Sequence, residues 1–166
     1  MSTVAPGRED TDETVQREGH LQAMSTKPDS VTTQLELRLV VPGNPSLPVL
    51  AEMTYDQSDP YAIRVAFHTG GADVVEWTFA RSLLTDGVTH PVGEGDVQAW
   101  PSHSSGRPVV CLSLSSPSGR ALFEAPLADL VEFLTKTYAV VSTGSESDFV
   151  DVDAELALLL WSEPEV

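Results

Sequence analysis

From Thr32 onward, apolar and polar side chains alternate one for one. Leu35, Leu37, Leu39 and Val41 fall on one side and Gln34, Glu36 and Arg38 on the other, the pattern of a strand with one buried face. Pro42-Gly43-Asn44-Pro45 interrupts it, and Val49, Ala51, Met53 and Tyr55 resume the alternation in a second strand. Ile63, Val65 and Phe67 mark a third strand, and Val75, Trp77 and Phe79 a fourth. Between them Thr69-Gly70-Gly71 forms a turn in which glycine accepts a positive φ without strain. The period then changes. Ala80 to Asp86 reads as a two-turn helix, with Gly87 placed to close it as a left-handed cap.

The second half repeats the plan loosely, with strands near Gly95–Trp100, Val109–Ser115 and Arg120–Glu124 and then a longer helix starting at Pro126. Leu127, Leu130, Val131, Leu134 and Tyr138 recur at helical steps on one face, and Glu132 and Lys136 form an acid-first pair on the other. After a polar loop, Ser142–Ser147, a last helix runs from about Val152 to Trp161, with Asp151 and Asp153 at its positive end. Its leucines are too widely spread for one stripe. Leu156, Leu159 and Leu160 are expected to face the core, which leaves Leu158 and Trp161 as a candidate subunit contact. The alternative is burial of both faces within one subunit. The pattern predicts an α+β fold, with two sheet layers around a core of Leu35, Leu37, Leu39, Ile63, Val65, Phe67, Val75, Trp77, Phe79, Cys111, Leu130, Val131 and Leu134.

Composition changes the picture at both ends. Residues 1–30 hold few branched or aromatic side chains and several prolines and glycines, so they are expected to form a disordered tail ahead of a domain spanning residues 31–166. Met-Ser-Thr occurs at Met1 and again at Met24, which leaves open where translation begins. A chain of 166 residues predicts a single domain that buries roughly two thirds of its unfolded surface. No run of about eighteen apolar residues offers a membrane span and no secretion-signal layout opens the chain, so the expected compartment is the cytoplasm.

The formal charge is −16, and beyond Thr137 there are seven acids and no Lys or Arg. The bases after Val31 (Arg38, Arg64, Arg81, Arg107, Arg120 and Lys136) are scattered singly. Such a surface is a poor match for nucleic-acid phosphates or an anionic membrane.

Candidate chemistry is sparse. Asp56 and Asp59 flank a Pro-containing turn and read as turn carboxylates before they read as an acid/base pair. His68, His90 and His103 lack the spacings of local zinc ligands, and the lone Cys111, inside an apolar strand, reads as a small buried hydrophobe. No serine sits in a Gly-x-Ser-x-Gly elbow. Gly93-Glu94-Gly95 lacks the third glycine of a nucleotide loop and reads as a strand-entry turn. No catalytic residue, cofactor or metal is assigned. Trp77, Phe79 and Trp100 resemble a base-stacking platform, but strand spacing puts Trp77 and Phe79 in the core and leaves Trp100 partly exposed.

Several short blocks occur together in order. They are Tyr55-Asp56-Gln57-Ser58-Asp59-Pro60-Tyr61-Ala62, Val75-Glu76-Trp77-Thr78-Phe79-Ala80-Arg81 ahead of Leu83-Leu84, Gly93-Glu94-Gly95-Asp96-Val97 with Trp100-Pro101-Ser102, Val110-Cys111-Leu112-Ser113-Leu114-Ser115-Ser116-Pro117, and Glu124-Ala125-Pro126. In these the chain resembles the SsgA-like proteins, sporulation and cell-division regulators of actinomycetes, over about Val31 to Trp161. The resemblance implies a whirly-like α+β fold, with two groups of antiparallel strands each followed by a helix, and a compact homo-oligomer, a trimer. It implies recruitment rather than catalysis: a scaffold at the cell septum that helps place the ring of the tubulin-like protein FtsZ, with FtsZ and SsgA-type paralogues as partners. The alternative carried by the fold is single-stranded nucleic-acid binding, which would weaken steeply with salt.

Overall fold

The computed structural model describes residues 27–161, with the side chain of Trp161 outside the description. The expected tail therefore lies almost wholly outside the described residues, and its last member, Ser30, already opens the first strand. Four strands follow in order: β1 (Ser30–Leu39), β2 (Leu47–Asp56), β3 (Ala62–His68) and β4 (Val74–Ala80). Helix α1 (Arg81–Gly87) comes next, then β5 (Val97–Ser104), β6 (Arg107–Ser116), β7 (Gly119–Pro126), α2 (Leu127–Val140) and α3 (Val152–Trp161). Each group of strands is closed by a helix, as the resemblance implies.

The two groups join into one antiparallel sheet of order β4-β3-β2-β1-β7-β6-β5. The seam is short: β1 pairs with β7 at Arg38 with Glu124 and Leu39 with Phe123, and the Val40 amide just beyond β1 donates to the Leu122 carbonyl at 2.8 Å, whereas β1 and β2 pair along their whole length. The sheet bends sharply there. Phe67 on β3 and Phe123 on β7 are three strands apart, about 14 Å in a flat sheet, yet their rings stack with centroids 4.5 Å apart. Folding at the seam turns the two halves toward each other, so one core receives Val49, Ala51, Met53, Ile63, Val65 and Phe67 from one half and Val110, Leu112, Leu114 and Phe123 from the other. Leu130, Phe133 and Leu134 of α2 complete it.

The expected core needs correction at several positions. Val75 is exposed, and Trp77 and Leu39 are only partly buried, because they line a cleft of about 360 Å³ between the halves with Leu114 and Ala121. Val131 is 40 % exposed. The buried stripe of α2 runs through Leu130, Phe133, Leu134, Thr137 and Val140, a face rotated toward the bulkier Phe133. Cys111 is buried but stands in the cross-strand row Arg38, Glu124, Cys111, Trp100, one residue off the core row of Leu39, Phe123, Leu112 and Ala99. The sheet's period of two forces that separation.

Gly87 closes α1 from inside the helix and not as a left-handed cap; the next residue, Val88, is also helical in φ and ψ. Its role is close approach. A Cβ at position 87 would stand 2.7 Å from the Cβ of Ala99, so only glycine lets α1 lie against β5 at this point.

Candidate interaction surfaces

The turn Asp56–Ala62 shows which carboxylate does what. Asp56 accepts from the Ser58 hydroxyl at 2.6 Å and the Ser58 amide at 2.8 Å, and these bonds hold its carboxyl below the usual range. Asp59 contributes main-chain atoms, donating its amide to the Asp56 carbonyl and accepting from Ala62. The Asp56 carboxylate is thus spent on the turn, and Asp59 joins it through its backbone. Burial, with the Glu124 carboxylate, pushes the Cys111 thiol up, against a smaller opposing effect from Ser102, away from the activated thiolate range. His68 ends β3 opposite Val74, and the Thr89 hydroxyl bonds the His90 ring at 2.9 Å. No group of three or more His, Cys, Asp or Glu is placed to hold a metal among the described residues.

The aromatic platform is not assembled. Phe79 is buried and Trp77 stacks on it at 6.2 Å between centroids, while Trp100 is half-buried on another strand, paired with Cys111.

One side chain that the sequence hid among scattered bases organises the helical face. Arg81, the first residue of α1, is 2 % exposed. Its guanidinium lies between the rings of Tyr55 and Tyr138, 4.7 and 4.0 Å from their centroids, where a desolvated cation gains from both π faces. Nη1 donates to the carbonyls of Thr137 at 3.2 Å and Val141 at 2.8 Å. Helix α2 has no base of its own in its last turn, so a cation from another element sits at its negative end, sharing the Thr137 carbonyl with the Val141 amide and taking up the Val141 carbonyl. Nη2 donates to Oε1 of Glu146 at 2.8 Å, and Oε2 of Glu146 accepts from the Gly144 amide at 2.7 Å. The Glu146 backbone amide, the Arg81 guanidinium and the Gly144 amide together hold the Glu146 carboxyl down, against partial desolvation. Burial pushes the Tyr55 hydroxyl up to about 12, opposed by the Arg81 charge. Thr85 ties α1 to Tyr138 at 2.7 Å.

The expected signal for Arg81 was faint. A cation at the positive end of a short helix is misplaced by the dipole rule, and such a misfit points to a partner from elsewhere in the fold; the partners lie 56 to 65 residues away.

Beyond this node the chain leaves through Ser142–Asp151, with one 3₁₀ turn at Glu146–Phe149, into α3. Asp151 caps α3 by accepting from the Ala154 amide at 2.9 Å. Leu156, Leu158, Leu159 and Leu160 are 49, 71, 74 and 77 % exposed. The expectation that Leu156, Leu159 and Leu160 face the core is thereby corrected, as is burial of both faces within one subunit. The helix side of the core is already filled by Phe133, Leu134, Val140 and Val141. Leu158, the residue expected to make a subunit contact, is exposed with the other leucines, and the Trp161 side chain is outside the described residues. No helix among the described residues is long and apolar enough to cross a membrane.

The sheet's two edges differ. The outer side of β5 is met by Val92, which exchanges two backbone hydrogen bonds with Ala99, and β5 carries Pro101. At the other edge Val74 and Val75 of β4 are exposed, and among the described residues no strand pairs beyond it.

Comparison with known proteins fits this architecture. The family described as Streptomyces sporulation and cell division protein, SsgA, matches residues 49–146. The sporulation-specific cell division protein SsgB of Frankia casuarinae is 58 % identical over 142 residues, covering 86 % of this chain and 99 % of that protein. SsgB of Streptomyces coelicolor is 51 % identical over 131 residues, covering 79 % and 96 %. The crystal structure of an SsgA-like sporulation-specific cell division protein from Thermobifida fusca superimposes with a TM-score of 0.72 at 48 % identity, covering 82 % of this chain and 99 % of that one. The chain belongs to the SsgA family of sporulation and cell-division proteins.

Proposed function

We propose that this protein is a non-enzymatic scaffold of sporulation septation, which assembles as a homo-oligomer in the cytoplasm and helps localise the FtsZ ring at septum sites. The observation that carries the reading is the similarity, across nearly the full length of the relatives, to proteins named as sporulation-specific cell division proteins. The physical surface supports recruitment over strand binding. The described bases are few against a formal charge of −16, and one of them, Arg81, is buried in an ion pair, so no phosphate-tracking stripe is available. The exposed leucines of α3 supply an apolar surface suited to association with a second copy.

Two measurements test the reading. Co-sedimentation with polymers of FtsZ from the same cells is expected to carry the protein into the pellet, and a pellet free of it would remove the recruitment reading. Replacing Leu158 by Ser and Trp161 by Lys together is expected to give smaller species in light scattering with the fold kept. An unchanged size would exclude α3 as the subunit contact.

A further inference from the structure

We propose that the Arg81–Glu146 pair is a latch that positions α3, by tying the connection after α2 to the first turn of α1 and so fixing the direction in which the leucine-bearing helix leaves the domain. The inference rests on α3 being the subunit contact.

The geometry is specific. Glu146 ties the connection to the domain and braces it internally at the same time, with Oε1 on the Arg81 Nη2 and Oε2 on the Gly144 amide of its own connection. The connection's own backbone bonds are local, Ser145 to Ser142 and Asp148 to Ser145, and carry no attachment to the sheet. Arg81 is held on every side, between Tyr55 and Tyr138 and against the Thr137 and Val141 carbonyls. A rigid cation thus meets a carboxylate on an otherwise exposed polar segment, whose neighbours Ser142, Thr143 and Ser147 lie open to solvent. Five residues separate Glu146 from the start of α3 at Val152, and Asp151 passes the restraint into that helix by capping it.

The test uses the full chain with Glu146→Gln. A carboxamide has a single acceptor oxygen, and its NH2 faces either the guanidinium or the Gly144 amide, so one of the two bonds is lost along with the charge. Amide exchange at Gly144, Ser145 and Asp148 is expected to accelerate roughly tenfold or more, the loss of a hydrogen bond to a charged group, with Met53 and Val65 in the sheet unchanged. The assembly is expected to shrink in light scattering as it does for Leu158→Ser with Trp161→Lys. Unchanged exchange at the three amides overturns the latch, and so does faster exchange with the assembly intact while the leucine–tryptophan variant shrinks. If that second variant keeps its size, the contact reading itself fails and the latch loses its role with it. Should Glu146→Gln loosen the whole molecule, Glu146→Asp decides: it keeps the charge but is one methylene too short to bridge both partners, and exchange rising everywhere again would assign the pair to general stability.

Discussion

Phe67 and Trp77 are neighbours in the alternation of β3 and β4 but differ in what covers them. Phe67 is fully enclosed against Phe123, so Phe67→Ala should lower stability by about 3–5 kcal/mol, as large deletions in a packed core do. Trp77 is half-open on the cleft, and Trp77→Ala should cost clearly less in the same urea titration. Equal losses would mean that the cleft is closed in solution. Alternation reveals which face a residue is on, which is why Ile63, Val65 and Phe67 were legible. It is blind to coverage, which is why Val75 and Trp77 were expected too deep. Arg81 was illegible for a different reason. Its two carbonyl acceptors and its carboxylate come from elements far along the chain, and no local period encodes them.

At the scale of elements, strand positions followed from the period of two, while helix faces followed only in part from the period of 3.6: Leu127, Leu130, Leu134 and Tyr138 of α2 do lie in or against the core. In α2 the buried Thr137 satisfies its hydroxyl on the Leu134 carbonyl at 2.7 Å, so a residue that reads as polar sits inside the stripe and displaces Val131 from it. In α3 the leucines lie on more than one side, and no single stripe marks a seat on the core. Helix α1 is controlled by the contact at Gly87. Alanine there improves helix propensity by about 1 kcal/mol, but its Cβ would meet that of Ala99, and overpacking of this kind costs about 1–3 kcal/mol. Gly87→Ala is therefore expected to lower the melting temperature, and adding Ala99→Gly to restore much of the loss. A gain from Gly87→Ala alone would show that α1 can move off β5 freely.

For the whole molecule, the α+β class and the two strand groups were legible, because each group is a run of neighbours in sequence. Their union through two residue pairs was not. That seam has a consequence in time. Strands β1 to β4 are joined in series, each pairing with the next, and β5 to β7 likewise, so each group can assemble from local contacts, whereas Arg38–Glu124 and Leu39–Phe123 close a long loop. Loop-closure entropy favours making such contacts after the local ones. Leu39→Ala should then leave the folding arm of a chevron nearly unmoved and raise the unfolding arm, the behaviour of a position formed after the rate-limiting step. A folding rate that falls in step with stability would instead place the seam in the nucleus. If the seam does close late, it is also the first contact to open, and the halves of this sheet would part along β1 and β7 before either half came undone.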